Sequence, residues 1–426
     1  MIKKLFTLAT LALVISSISF LSKPASVYAD DETTFWKYQC IDTMKISRDN
    51  ARSWANKPDL TDHISWEMQT IKSLGANCVA IDTPYDAEFL PYLKSWIAGA
   101  RKENLHIWFR GNFSGWEGWF EYPKITTTQE ELTKLDTFIR ANPNLFQDGD
   151  IFTGVPEAEN GGPIKNITNG DYSSYRAFLV DEYRLEKKAF NDIQKAVEVD
   201  WFSMSGGWAE RMYDKQTVDQ TGGLVTIDHY ISDPASMSAM VDQMNTTLGA
   251  KVMIGEFGAP VPDLNGPMTE EQQASFVDAV LQQLYNERVN VIGINYWDLL
   301  GGSTALMNPD QTPRAVADVI KKYFSPAVVT GKVTDEKGEG IPNVTVTTAN
   351  GDVTVKTGAN GTYSFPTLSS QLTIFAHVED SIASASVDDI KPGNTYEKDI
   401  VLTTPSVSLF QQIEEFCRKI FTSPKK

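Results

Sequence analysis

The sequence predicts an α/β protein: a closed (β/α)8 barrel followed by a small all-β sandwich. Three observations carry this. Between residues 35 and 323, short apolar runs alternate eight times with longer stretches of helical periodicity. After Phe324 the composition changes to period-two runs rich in Val and Thr, separated by turn residues. Within the first part, the run Lys251-Val252-Met253-Ile254-Gly255-Glu256-Phe257-Gly258 is apolar, as a strand buried on both faces should be, and stops on a carboxylate set among glycines. Eight strand–helix units in about 290 residues fit a barrel. A doubly wound open sheet is the other arrangement of such units, but no Gly-rich nucleotide loop supports it.

Taken in order, the expected strands are 35–41, 77–82, 106–110, 150–155, 201–204, 224–230, 251–258 and 291–297. The first helix, 60–74, carries Ile64, Met68, Ile71 and Leu74 on one face and stops at Gly75. Helices 87–102, 129–141, 172–197, 235–248, 270–287 and 315–323 follow their strands in the same way, and 209–219 holds at most a short one. The loop after the third strand, Gly111 to Trp119, is too rich in glycine and aromatics to be a plain connection.

The sandwich is expected over 326–403. Its runs are Val329-Thr330-Gly331-Lys332-Val333, Val344-Thr345-Val346-Thr347, Thr362-Tyr363-Ser364-Phe365 and Leu372-Thr373-Ile374-Phe375. Residues 404–426 form a last segment in which Leu409, Phe410, Ile413, Phe416, Cys417, Ile420 and Phe421 share one helical face. Docking onto the sandwich, self-association and surface contact through 408–421 are its alternatives.

A formal charge of −17 argues against nucleic acid or an anionic membrane as partner, since both need clustered Lys and Arg. The N-terminus reads as a signal peptide over 1–29: Lys3 and Lys4, an apolar stretch from Leu5 to Leu21, and small or permissive residues before Asp30. Its removal takes away three lysines and no acid, leaving −20 and implying a secreted or cell-surface protein. With three Cys and four His there is no disulfide scaffold and no metal pattern. Cys40 and Cys78 fall on neighbouring expected strands, where a bridge and two buried thiols both fit.

Ile254-Gly255-Glu256-Phe257-Gly258 resembles the nucleophile strand, the seventh, of clan A, the large clan of retaining (β/α)8 glycoside hydrolases. The resemblance continues through the eighth strand and its loop, 291–313, and covers 35–325. It implies a TIM-barrel enzyme that cleaves β-glycosidic bonds of an oligo- or polysaccharide by double displacement, with no cofactor and no metal, and no protein partner is evident. Such chemistry needs two carboxyls, one attacking the anomeric carbon and one acting as acid and then base. Glu256 is the implied nucleophile. The partner belongs after the fourth strand, where Glu157 and Glu159 compete; Glu157 comes first and is preferred, with Glu159 the alternative acid/base. Pro156 stands where the clan has an Asn, so Asn160 is the candidate to supply that amide. The layout further implies Tyr230 and His229 at the end of strand six, Trp297 as a platform at the end of strand eight, and Arg110 and Asn112 at the end of strand three. Trp116, Trp119 and Trp208 are the expected sugar-binding rim, because aromatic rings offer large, rigid contact area. The departure at Pro156 supports one alternative, a non-catalytic glycan-binding surface protein built on a decayed barrel. Residues 326–403 resemble a carboxypeptidase-regulatory-like (prealbumin-like) module, through Gly331-Lys332-Val333-Thr334-Asp335 and Asn360-Gly361-Thr362-Tyr363 among others.

Overall fold

The computed structural model describes residues 34–164, 170–379 and 381–403. The expected signal peptide and the amphipathic segment 404–426 lie outside the described residues.

Eight parallel strands form one sheet in the order β4-β3-β2-β1-β8-β7-β6-β5. They are β1 (Tyr38–Asp42), β2 (Cys78–Ile81), β3 (His106–Phe109), β4 (Ile151–Phe152), β5 (Ser203–Ser205), β6 (Leu224–Asp228), β7 (Lys251–Phe257) and β8 (Val291–Tyr296). The gap between β4 and β5 is closed by the extended segment before β5. Phe152 N donates to Glu198 O at 2.9 Å and Glu198 N to Asp150 O at 2.9 Å. The expected α/β barrel is therefore present.

Around it lie α1 (Leu60–Ser73), α2 (Leu90–Lys102), α3 (Thr128–Ala141), α4 (Ser173–Asp192), α5 (Lys215–Gln220), α6 (Ala235–Leu248), α7 (Glu270–Asn286) and α8 (Ala315–Phe324). A further short helix, Gly206–Met212, precedes α5. Local chemistry sets several starts. Thr269 and Gln272 form a capping box at α7, and Thr127 accepts from Glu130 N at α3. α4 ends earlier than the expected 172–197, because the chain after it turns to pair with β4. β4 is also shorter than 150–155: the strand stops at Phe152, Thr153 N still donates to Phe109 O on β3, and the residues beyond it find partners elsewhere.

Period-two alternation divides the strands between two cores. Ile41, Val79, Ile81, Ile107, Phe109, Val225, Ile227, Val252 and Ile254 face outward into the shell of helices. Tyr38, Cys40, Cys78, Ala80, Trp108, Ile151, Trp201, Leu224 and Met253 fill the barrel interior. There Trp201 meets Tyr38 and Trp108 edge-on at 4.9 and 5.0 Å, and Cys40 and Cys78, paired across β1 and β2, are bridged.

The sandwich has a separate core of Val329, Val333, Val344, Val346, Tyr363, Phe365, Ile374 and their neighbours. It is built from β9 (Ala327–Thr334), β10 (Thr345–Thr348), β11 (Thr354–Lys356), β12 (Thr362–Thr367), β13 (Leu372–Val378), β14 (Ser381–Val387), β15 (Thr395–Glu397) and β16 (Ile400–Val401). One sheet runs β11-β10-β13-β14; the other runs β12-β9-β15, with β16 also on β9.

Candidate active site

One step further along the strands from the aromatic filling, the inward positions change from apolar to charged. Asp42, Asp82, Arg110, Asp228, Glu256 and Asn295 form this layer, and none is more than 6% exposed. Arg110 is its centre. Its guanidinium lies 2.5 Å from Glu256, 2.9 Å from Asp228, 3.2 Å from Asp82 and 3.7 Å from Asp42. Burial works against a charge there, but the four carboxylates outweigh it and hold Arg110 well above its ordinary pKa. Burial pushes Asp42 up to about 6 despite Arg110, and raises Asp82 and Asp228 well above the ordinary carboxylate range.

Glu256 reaches this layer through a bulge. Met253 points inward, so strict alternation would bring Gly255 in next. The β6–β7 register shifts there, and Glu256 stands opposite Asp228. Gly255 has to be glycine, since a Cβ would lie 2.3 Å from Asp228 Oδ1. Tyr230 Oη donates to Glu256 Oε2 at 2.8 Å, so Tyr230 and Arg110 together aim the carboxylate.

Glu157 comes from the opposite wall. Its backbone is left-handed (φ 46°, ψ 51°), a conformation costing a non-glycine residue about 1–3 kcal/mol, and Glu157 N donates to Ser203 O at 2.8 Å. One carboxylate oxygen each of Glu157, Asp228 and Glu256 lie within 4.8 Å of one another. Burial, and then the charge of Glu256, push the Glu157 carboxyl up to about 8. Asn160 is exposed and donates Nδ2 to Glu157 Oε2 at 3.1 Å, so its amide is engaged with the carboxyl itself.

Glu159 is differently placed. Tyr175 Oη donates to its Oε2 and Ser205 N to its Oε1, both at 2.9 Å. Burial raises its pKa while these donors oppose the rise. Among the described residues, Glu157, Asp228 and Glu256 are the one acidic group close enough to share a cation. Arg110 already pairs with two of the three.

Of the other expected residues, Asn112 is buried, with Nδ2 3.5 Å from Glu117. Trp297 is half-buried, edge-on to Tyr230 at 6.1 Å, with Lys45 Nζ 5.1 Å from its ring. Trp119 is half-buried under the Arg48 guanidinium, 4.5 Å away, and with Arg48, Asp49 and Phe120 lines an open hollow of about 240 Å³. Trp208 is half-buried and stacks on Tyr175.

Two expectations are corrected. Trp116 is 2% exposed, stacked on Phe178 at 5.4 Å, with its indole N–H donating to Ala158 O. It supports the Glu157 loop from beneath and presents no face to a sugar. The His229 ring turns outward to the helices. It packs where a Cβ on Gly206 would be 2.5 Å from Nδ1, and it lines a hollow together with Met237 and Phe276 of the helices. Only the His229 backbone touches the site, through N–H to Glu256 O at 2.8 Å.

The sequence reading missed Asp42, Asp82 and Asp228. A signal was present, because an Ile-Asp pair closes β1 and β6, as Ile41-Asp42 and Ile227-Asp228, and stands at the end of β2, as Ile81-Asp82 with the Asp just beyond the strand. It also missed Glu117, half-buried beside Asn112 and pushed up to about 7 by burial.

No family model matches the chain, and no curated protein matches it. Among solved structures it is similar to a β-glucuronidase from Bacteroides uniformis, at 13% identity and TM-score 0.43. That match covers 80% of this chain and 44% of the other, so this chain spans less than half of that protein. It is also similar to a broad-specificity endoglucanase from Clostridium acetobutylicum, at 11% identity and TM-score 0.48, covering 71% and 100% of the two chains. A β-D-glucuronidase from Dictyoglomus thermophilum matches at 13% identity and TM-score 0.45, covering 71% and 53%.

Proposed function

We propose that the protein is a retaining β-glycoside hydrolase with Glu256 as nucleophile and Glu157 as acid/base, acting on an oligo- or polysaccharide. The observation that carries this reading is the approach of a Glu157 oxygen to within 4.8 Å of a Glu256 oxygen. Carboxyls roughly 5–5.5 Å apart serve retention, whereas about 6.5–9.5 Å leaves room for the water of an inverting reaction. In the first step Glu256 bonds to the anomeric carbon as the bond to the leaving oxygen breaks, and Glu157 gives that oxygen its proton. In the second, Glu157 takes a proton from water, the water oxygen bonds to the anomeric carbon, and Glu256 is released. Asp42, Asp82 and Asp228 fix Arg110, which fixes Glu256.

The acid must be protonated at the start, and the folded-state pKa of Glu157 is about 8. Activity should therefore hold through neutral pH and fall as pH rises through about 8. A kcat/KM profile on an unactivated glycoside that falls instead above pH 5 contradicts the assignment.

Substitutions separate the two candidate acids. Glu157→Gln should slow substrates with poor leaving groups on the order of 10²–10⁴-fold while sparing the first step on dinitrophenyl glycosides. Glu159→Gln should cost less than about tenfold on both. Exchanged phenotypes would make Glu159 the acid. We place the enzyme outside the cell or at its surface, on the strength of Lys3, Lys4 and the apolar stretch to Leu21, with the sandwich module as a spacer or adhesion unit. Secreted protein should begin at Asp30 by N-terminal sequencing.

A further inference from the structure

The chain entering Glu157 has too little strand to hold it. β4 is only Ile151–Phe152. Thr153 N still donates to Phe109 O on β3 at 2.9 Å, and Glu157 N reaches Ser203 O on β5 at 2.8 Å. Between them Pro156 has no N–H to give. The remaining stretch, Gly154-Val155, is held from behind by α4. Val155 N donates to Glu182 Oε1 at 3.0 Å, a bond to a side chain where the barrel would ordinarily use a neighbouring strand.

Glu182 and Glu186, one helical turn apart, are both fully buried behind this stretch. A Cβ on Gly154 would lie 2.4 Å from Glu186 Oε1, 2.7 Å from Glu182 Oε1 and 2.6 Å from Leu135 Cδ1, so the carboxyls press on the backbone itself. Three residues after Gly154 the chain adopts the left-handed turn at Glu157.

We infer that Glu182 is a positioning residue for Glu157: it supplies the acceptor that the short strand lacks, and so fixes the backbone from which the acid/base carboxyl projects toward Glu256. The inference rests on the proposed function above. Burial first, and then the nearby Glu131, raise the Glu182 pKa well above the ordinary range, which favours a neutral carboxyl. A neutral carboxyl accepts a hydrogen bond as a Gln amide oxygen does. The role is therefore one of geometry and not of charge.

The test compares Glu182→Gln, Glu182→Leu and Glu157→Gln on aryl β-glycosides of one sugar with good (2,4-dinitrophenyl) and poor (4-methylphenyl) leaving groups, with melting curves to confirm folding. Glu182→Gln should stay within about threefold of the unaltered protein on both. In kcat/KM, which reports the first step alone, Glu182→Leu should lose on the order of 10²-fold on the poor leaving group and little on the good one, the signature of a misplaced acid. Should Glu182→Leu not fold, Glu182→Asp withdraws the acceptor by one methylene and should show the same selectivity more weakly. Equal effects on both leaving groups in a folded Glu182 variant, or a Gln variant as impaired as Leu, overturn the inference while leaving the proposed function standing if Glu157→Gln is itself selective. If Glu157→Gln shows no leaving-group selectivity, or the unaltered protein cleaves no β-glycoside, the proposed function falls and this inference with it.

Discussion

Glu256→Gln is expected to abolish turnover of every glycoside, by about 10⁶-fold, the scale on which removal of a hydrolase's covalent nucleophile acts. The change keeps the size of the side chain and its place opposite Asp228, but removes the oxygen that bonds to the anomeric carbon. Tyr230 Oη can still donate to the Gln oxygen, but the amide that replaces Oε1 no longer pairs with Arg110, so the melting temperature should fall while Asp42, Asp82 and Asp228 still hold the guanidinium in place. Unlike Glu157→Gln, this variant should gain nothing from a better leaving group, since the missing group is the attacker. Residual activity that rises steeply with leaving-group quality would mean that another carboxylate, such as Asp228 with an oxygen within 4.8 Å of one of Glu256, carries the attack.

Arg110→Met is expected to be the most damaging change to stability. One guanidinium serves four buried carboxylates, and removing one partner of a buried ion pair costs about 3–5 kcal/mol. The pH dependence has a definite sign. Asp42, whose folded-state pKa is about 6, binds its proton more tightly folded than unfolded. Such a group costs stability as pH rises above its unfolded value of about 3.9, and the cost is complete above its folded value. Without Arg110, Asp42, Asp82 and Asp228 move up further, because each loses a lowering influence. The stability gap between the variant and the unaltered protein should therefore be smallest near pH 4 and widen as pH rises through about 6 toward pH 8. Melting temperatures of both proteins across that range measure it, and a gap that does not change with pH contradicts the charge network.

The barrel was legible because its outward strand positions and its helix faces are apolar at clean spacing, as in Ile64, Met68 and Ile71 of α1. The place of Glu256 in the charged layer was legible because one carboxylate closes an apolar strand. The ring of aspartates was passed over because each acid, taken singly, reads as an ordinary turn residue after a strand. Only the barrel's closure shows that Asp42, Asp82 and Asp228 face one Arg. Trp116 was misread for a related reason. An aromatic in a glycine-rich loop suggests exposure, but Gly161 and Gly162 let the Glu157 loop press against its ring, which buries it. His229 and Tyr230 are adjacent, and neighbouring residues at a strand end point to opposite sides, so only one of the pair could face the site. The placement of Glu157 rests on α4, whose buried Glu182 is far away in sequence and carries no local signal.

The most direct test of a covalent bond between Glu256 and the sugar is peptide mass mapping after incubation with a panel of 2,4-dinitrophenyl 2-deoxy-2-fluoro-β-glycosides. The fluorine slows both steps and the leaving group restores the first, so a glycosyl-enzyme should accumulate. The expected result is one fluoroglycosyl group on the peptide containing Glu256, and none on the Glu256→Gln protein. A label on Glu157 or Asp228 instead, or no label with any sugar while the parent β-glycosides are hydrolysed, would contradict it.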